Sequence, residues 1–197
     1  GKGAFPEDHP LFAGFIGSYG NRSANMIMAN ADLLFALGTR LDTRQTGTRL
    51  DSFIRSGRIV HIDIDPSEIE HSRIRRDIAF RADVGDFLEQ MLAFDDMKKT
   101  EPVWEEYIRK TGTEFSQSAE ISRNVENVIP YRIMELLNEY AGPDQVFCAD
   151  IGQNQMFAAQ MLKIRSGQRF YTSGGMAPMG YSLGAGIGAA FSQESRS

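Results

Sequence analysis

The sequence predicts an α/β fold, with a Rossmann-like parallel sheet that carries helices on both faces, followed by a partial second α/β domain. Short apolar runs that end in glycine or acidic residues alternate with helix-like segments, which is typical of an open parallel sheet. A second strand–loop–helix succession begins after residue 128. The 19 glycines concentrate in residues 1–20 and 152–188. Because glycine lets a backbone approach a ligand closely, these two regions are where we expect sites.

The first twenty residues show neither helical nor strand period and are expected to form an ordered loop. Each later element of the first domain follows from its pattern. Small and apolar residues at helical spacing favour a helix, apolar runs favour buried strands, and Pro66 suits a first helical turn. We therefore predict a helix over 21–31, a strand over 33–37, a polar loop over 39–47, a short helix over 50–55, a strand over 58–65, a helical turn from 66, a strand over 77–82 and a helix over 84–93.

Beyond residue 100 the chain becomes charged, and its only tryptophan, Trp104, lies in a helix-like stretch. We predict a central domain over 1–100, a connecting segment over 101–127 and a truncated second domain over 128–197. In that domain we expect helices over 131–140, 154–162 and 181–191, strands over 145–149 and 169–172, and a glycine-rich loop over 173–180. Two strands are too few to bury both faces of a sheet. We therefore expect the second domain to depend on further contacts.

Composition limits the partners. The net charge is −5, from 21 Lys and Arg against 26 Asp and Glu, and the basic residues are scattered, which argues against nucleic acid. The apolar stretch over 170–193 is broken by glycines and suits a packed loop and helix better than a membrane span. No signal peptide is apparent. The single cysteine, Cys148, cannot form an internal disulfide, which favours a cytoplasmic location. We expect Cys148 to be inert core.

Two acidic residues, Asp63 and Asp65, stand at the end of the second predicted strand. Ligands of such sheets sit beyond the carboxyl ends of the strands, where carboxylates accept hydrogen bonds from ribose or ribityl hydroxyls. The alternative is that both carboxylates only cap the turn at Pro66. No G-x-G-x-x-G fingerprint precedes them, which disfavours a plain dinucleotide site.

The loop after the first predicted strand combines Gly38 with Arg40 and Arg44. Glycine permits a close backbone approach, and guanidinium groups pair with phosphate through two parallel hydrogen bonds. The alternative is a solvated loop with Arg–Asp pairs.

Two further candidates lie in the second domain. Residues 150–156 (DIGQNQM) join a strand to a helix, and the backbone N–H groups of a helix N-terminus bind anions. Residues 173–180 (SGGMAPMG) could approach a flat ligand. The alternatives are ordinary turns, with Met179 in the core. No metal-ligating cluster or nucleophile arrangement is predicted.

Together these segments resemble the thiamine diphosphate enzymes of the acetohydroxyacid synthase (acetolactate synthase) large-subunit type. The resemblance runs in order along nearly the whole chain, through GAFPEDHP, GSYGNRSAN, ADLLFALGTRLDTRQTG, IVHIDIDPSEI, ADV, IGQNQMFAAQ and TSGGMAPMGYSLGAGIGAAF. The sequence departs from that pattern at Tyr19 and Asn154, where the family usually has histidine. It also departs at Phe157 and Gly184, where the family has tryptophan and proline.

The resemblance implies two cofactor sites. Thiamine diphosphate would lie by Ile151, Gly152, Gln153 and Asn154, with Met179 supporting its bent shape. FAD without a redox role would lie by the central domain, where the loop of Ile16, Gly17 and Tyr19 aligns with a flavin-contacting segment. The matching FAD positions are Gly38, Arg40, Asp42, Arg44, Asp63, Ile64, Asp65, Glu68, Asp83 and Val84. The resemblance implies that a downstream motif binds Mg²⁺ and that an upstream domain supplies the glutamate that activates the cofactor. We therefore expect this chain alone to be inactive.

The implied activity is decarboxylation of a pyruvate-like 2-keto acid and ligation of the product to a second carbonyl compound. The resemblance also implies a homodimer or homotetramer for the complete enzyme. Two alternatives stay open: another thiamine diphosphate-dependent decarboxylase or lyase, and a non-catalytic nucleotide-binding module.

Overall fold

The computed structural model describes residues 1–94, 101–119 and 129–194, with no account of side chains at 129, 193 and 194. The chain divides into two compact units. The first unit is Ile16–Ser116, and the second is Gly1–Phe15 together with Gln117–Ser197. The predicted domain boundaries near residues 100 and 128 lie outside the described residues.

The first unit is built on a parallel three-stranded sheet in the order β1–β2–β3. Leu37 of β1 lies beside Ile62 of β2, and Asp63 of β2 lies beside Arg81 of β3. The three strands therefore end at the same edge. Its elements are α1 (Arg22–Asn30), β1 (Leu33–Leu37), α2 (Thr43–Thr46), a 3₁₀ turn (Leu50–Ser52), β2 (Arg58–Asp63), α3 (Pro66–Glu70), β3 (Ile78–Arg81), α4 (Val84–Leu92) and α5 (Pro102–Glu114).

The central strand β2 carries the core. Ile62 is fully buried, as a β-branched strand residue flanked by two neighbouring strands should be, and the polar His61 beside it is also fully buried. A cluster of buried apolar side chains packs together in this unit, namely Ala36, Leu41, Phe53, Ile54, Ile59 and Ile74. The Phe35 ring lies 6.2 Å from the Phe87 ring, which joins β1 to α4.

Three predicted elements of the first unit were wrong in detail. The strand predicted to reach Asp65 ends at Asp63, because the Asp63 carboxylate accepts the N–H of Asp65 and turns the chain. The predicted polar loop contains α2, since Asp42 forms a capping box at its start. The predicted helix over 50–55 is only the 3₁₀ turn, because Phe53 is extended and Ile54 has a positive φ of 50°, neither of which is helical.

The second unit holds a parallel pair of strands, β4 (Val146–Cys148) and β5 (Arg169–Tyr171). Three helices accompany them, α6 (Ile129–Tyr140), α7 (Gln153–Met161) and α8 (Tyr181–Glu194). The α/β class with parallel sheets is thus confirmed. Leu183, Ile187 and Phe191 of α8 are exposed, as expected where only two strands cover a helix. No helix among the described residues is long and apolar enough to cross a membrane.

A buried ion pair fixes the start of the chain in the second unit. The Lys2 ammonium lies 2.8 Å from a Glu7 carboxylate oxygen and 4.3 Å from the centre of the Phe15 ring. The Glu7 N–H donates to the Ile164 carbonyl at 3.0 Å. Burial lowers the pKa of Lys2 and raises the pKa of Glu7, which means that burial disfavours the charged form of each group. Each charge is therefore compensated by the other, and removing one partner would leave an unpaired buried charge.

Replacing Ile62 by alanine should destabilise the first unit by about 2–5 kcal/mol, because a fully buried branched side chain leaves a cavity. Ile64 is the matched control, since it lies two residues away and is 64% exposed. Its replacement by alanine should change the free energy of unfolding by less than about 0.5 kcal/mol. Urea unfolding followed by circular dichroism measures both. Equal losses for the two variants would contradict the central position of β2.

Candidate functional site

The carboxyl edge of the three-stranded sheet gathers several predicted site residues. The Gly38 N–H donates to the Ile62 carbonyl at 2.9 Å, and the Ala82 N–H donates to the Asp63 carbonyl at 3.1 Å. A side-chain carbon at Gly38 would lie 3.4 Å from a Val84 methyl group, so these two residues meet across the edge. The structure therefore brings Gly38, Asp63, Asp83 and Val84 together, as the strand ends predicted.

Three aspartates cap the helices that begin at this edge. Asp42 accepts from the N–H groups of Arg44 and Gln45 at 2.9 and 3.2 Å, and Asp83 accepts from the Gly85 N–H at 2.7 Å. Asp65 accepts from the Ser67 N–H at 2.9 Å and the Ser67 hydroxyl at 2.8 Å. All of these bonds use Oδ1 of the aspartate. Asp65 therefore caps the turn that begins at Pro66, which is the alternative that the sequence left open. The expected pairing of Asp63 with Asp65 on one side was wrong, because Asp63 is buried and Asp65 is exposed.

Two buried residues shape the loop that carries Arg40 and Arg44. Leu41 has a positive φ of 50° although its side chain is 3% exposed, a backbone conformation that a leucine adopts only where its surroundings enforce it. The His61 Nε2 lies 2.9 Å from the Thr39 carbonyl and donates to it, because a carbonyl can only accept. The loop is thus held at Leu41 and at Thr39. The side chains of Arg40 and Arg44 in the same loop are exposed. Sequence reasoning missed both anchors.

A second loop of the same unit lies against the backbone of Arg44. Asn25 bonds both main-chain groups of Gly17, accepting from its N–H at 2.7 Å and donating to its carbonyl at 3.1 Å. The Ser18 N–H donates to the Arg44 carbonyl at 2.8 Å. A side chain at Gly17 would clash with that carbonyl, so only glycine fits this approach. The predicted loop of Ile16, Gly17 and Tyr19 thus adjoins the arginine loop. Ile64 is exposed and Glu68 is half-buried on α3.

In the second unit, Gly152 precedes α7 with φ 115° and ψ −155°, a conformation that glycine adopts readily. No side chain caps this helix, and a carbon added at Gly152 would meet nothing within 4 Å. Ile151 is half-buried, whereas Gln153 and Asn154 are exposed. A nine-residue helix with an uncapped, accessible N-terminus offers backbone N–H groups to an anion.

The glycine-rich loop lies beside this helix start. The Asp150 carboxylate accepts from the N–H groups of Ile151 and Gly180, at 2.8 and 3.0 Å. It also accepts from the N–H and hydroxyl of Ser182, and these bonds, led by the Ser182 N–H, lower the pKa of Asp150. Met179 is 89% exposed, so the interpretation of Met179 as core was wrong. No local pattern in the sequence indicates the contacts of Asp150 with Gly180 and Ser182, which lie about thirty residues away.

Other chemistry is sparse. The described residues contain no group of three or more His, Cys, Asp or Glu side chains placed to hold a metal ion. Cys148 is half-buried rather than fully enclosed, and burial raises the pKa of its thiol. A raised pKa keeps the thiol protonated and therefore a weak nucleophile.

Comparison with family models matches two regions of the chain. Residues 1–91 match the model of the thiamine pyrophosphate enzyme central domain. Residues 150–197 match the model of the C-terminal TPP binding domain of the same enzymes. The two matches lie in the order in which the sequence analysis placed these domains.

Comparison with curated proteins finds acetolactate synthase large subunits. The chain is 36% identical over 195 residues to that of Cyanidium caldarium, covering 96% of this chain and 32% of the relative. It is 33% identical over 192 residues to that of Corynebacterium glutamicum, covering 95% and 30%, respectively. It is 35% identical over 193 residues to that of Mycobacterium tuberculosis, covering 95% and 31%. The chain thus spans about a third of the length of these relatives.

The cap at Asp65 predicts a pH-dependent stability. Hydrogen bonds from the Ser67 hydroxyl and N–H lower the pKa of Asp65. Its contribution is therefore complete above the unfolded value of about 3.9 and is lost as the pH falls through the lower folded pKa. The variant Asp65→Asn keeps a good cap that does not titrate. Urea unfolding between pH 6 and pH 2.5 should show wild type losing stability relative to Asp65→Asn below about pH 4.

The variant Ser67→Ala serves as the comparison for this pH profile. It removes the hydroxyl that most lowers the pKa of Asp65, so the acid-dependent difference should shrink. Parallel profiles for wild type and Asp65→Asn would show that the Asp65 carboxylate does not stabilise the fold through its charge.

Proposed function

This chain belongs to the thiamine pyrophosphate enzyme family, and we propose that it is part of an acetolactate synthase-like carboligase. The whole enzyme would decarboxylate a pyruvate-like 2-keto acid and join the product to a second carbonyl compound. Thiamine diphosphate, when bound, supplies the electron sink for such a reaction. The observation that carries the proposal is the uncapped start of α7 at Gly152, tied through Asp150 to the loop that exposes Met179.

The residues at this site fit the two ends of thiamine diphosphate. The N–H groups at the start of α7 suit a diphosphate, and the open space at Gly152 lets its oxygens approach. The exposed Gln153 and Asn154 add side-chain donors at the same place. The exposed Met179 offers an apolar thioether, which suits an aromatic ring. We propose that these residues bind and orient the cofactor.

Mg²⁺ is part of the proposal as the partner of the diphosphate. It binds few protein groups and commonly takes phosphate oxygens as ligands. The described residues contain no acidic cluster for it. We propose that its protein ligands come from a motif downstream of these residues, as the resemblance implies.

Thiamine diphosphate with Mg²⁺ should perturb the amide resonances of residues 151–154 and 176–180 in this chain. We expect a dissociation constant of about 1 mM or weaker, because the diphosphate lacks part of its ligands. Nuclear magnetic resonance titration measures this effect. Thiamine without phosphate is the control, and it should perturb residues 151–154 least. If saturating cofactor leaves both loops unchanged, the proposed site is wrong.

We further propose FAD at the carboxyl edge of the first unit. The exposed Arg40 and Arg44 suit phosphate groups, and the loop of Gly17 lies directly beside Arg44. The exposed Asp65 carboxylate suits a hydroxyl of the ligand at the strand end, although its Oδ1 already accepts the Ser67 N–H, and the buried Asp63 holds this turn by accepting the Asp65 N–H. Capping and binding are compatible, because each carboxylate carries two oxygens and about four acceptor positions.

The double variant Arg40→Ala, Arg44→Ala should weaken FAD binding by ~10-fold or more, since it removes two phosphate partners. Both side chains are exposed, so the fold should persist. Flavin fluorescence follows the titration, and we expect a wild-type dissociation constant of about 1 μM or weaker. Arg49→Ala is the matched control, since Arg49 is exposed near α2. Equal binding by all three proteins, or none at millimolar FAD, would contradict the flavin site.

The remaining proposals concern the complete enzyme. We propose a homodimer or homotetramer in the cytoplasm that acts on small molecules, with neither nucleic acid nor membrane as a partner. The oligomer is what the resemblance implies, the scattered basic residues argue against nucleic acid, and the single cysteine favours the cytoplasm.

A further inference from the structure

We infer that Asp150 is a positioning residue that sets the spacing between the two loops of the proposed thiamine diphosphate site. These loops are residues 151–154, at the start of α7, and residues 176–180, which carry Met179. The inference rests on the proposed function. It concerns a side chain that need not touch the cofactor, and whose contacts lie entirely within the second unit.

Both oxygens of the Asp150 carboxylate are engaged, and they bind both loops. Oδ1 accepts from the Ile151 N–H at 2.8 Å and from the Gly180 N–H at 3.0 Å. Oδ2 accepts from the Ser182 N–H at 3.1 Å and from the Ser182 hydroxyl at 2.9 Å. One carboxylate therefore joins the segment before α7 to the segment that begins α8.

The residue before Asp150 is held in the sheet. The Ala149 N–H donates to the Tyr171 carbonyl at 2.9 Å, which extends the pairing of β4 with β5 up to the residue before Asp150. The carboxylate is thus held at a strand end, and hydrogen bonds to an ionised acceptor are stronger than those between neutral groups. A neutral amide of the same shape could accept at one atom only, so its NH₂ group would face either the N–H of Ser182 or the N–H groups of Ile151 and Gly180.

The consequence for a ligand depends on how many loops it contacts. A diphosphate alone needs only the N–H groups at the start of α7. A ligand that also reaches Met179 needs both loops at the right separation. Positioning by Asp150 therefore predicts a loss of affinity that grows with the reach of the ligand, whereas general destabilisation would weaken both ligands alike.

The test compares two probes, inorganic pyrophosphate and thiamine diphosphate, each with Mg²⁺, on the whole 197-residue chain. In Asp150→Asn the dissociation constant of thiamine diphosphate should rise ~10-fold or more relative to that of pyrophosphate. The ratio of the two constants is the readout, because it removes the effect of the variant on the diphosphate that both probes share. Asp86→Asn, on exposed α4 of the other unit, makes the same charge change and should leave the ratio unaltered. An unchanged ratio in Asp150→Asn overturns the inference.

Amide hydrogen exchange supplies the second measurement, and it needs no ligand. In Asp150→Asn the amide of Gly180 or that of Ser182 should exchange at least ~10-fold faster, because only one acceptor atom remains, while those of β4 and β5 keep their rates. Unaltered rates at Gly180 and Ser182, or equal acceleration throughout the second unit, overturn the inference. If wild type binds neither probe, the proposed function is contradicted, and the exchange rates alone decide the role of Asp150.

Discussion

The parallel register of β1, β2 and β3 is the constraint on which the first unit depends. Because Leu37 lies beside Ile62 and Asp63 beside Arg81, the three chains leave the sheet at one edge. Each exit needs acceptors for the N–H groups of the helix that follows, and Asp42, Asp65 and Asp83 supply them. Polar groups are thereby concentrated at the edge where open parallel sheets bind ligands. Structural capping and the proposed binding role thus arise from one arrangement.

The second unit meets the same requirement with fewer strands. Among its described residues only β4 and β5 pair, so little of the sheet is available to order the loops beyond it. A single carboxylate does part of that work, because Asp150 joins the start of α7 to the start of α8 through four hydrogen bonds. The exposed apolar residues Leu183 and Phe191 mark where this unit is left open.

Two sets of buried polar residues hold loops in this molecule. His61 and Asp63 are buried in the central strand, and each holds a neighbouring backbone group, at Thr39 and at Asp65. Lys2 and Glu7 are buried as an ion pair that fixes the first residues of the chain. In each case the buried polar group orders a loop, since a buried donor or acceptor without a partner costs more than a hydrogen bond gains.

The sequence by itself determined the fold class, the family and most elements. Strand β1 is predicted residue for residue, because an apolar run closed by Gly38 is a purely local signal. The spacing of Asp42 and Gln45 also carried a local signal, the capping box, which would have revealed α2. Only the tertiary structure decided the positive φ of Leu41, the bond from His61 to Thr39 and the contacts of Asp150 with Gly180 and Ser182. Such contacts join residues about twenty to thirty positions apart, or force a backbone against its own preference. Periodicity and turn propensity describe neighbours along the chain, and they therefore contain no information about these long-range contacts.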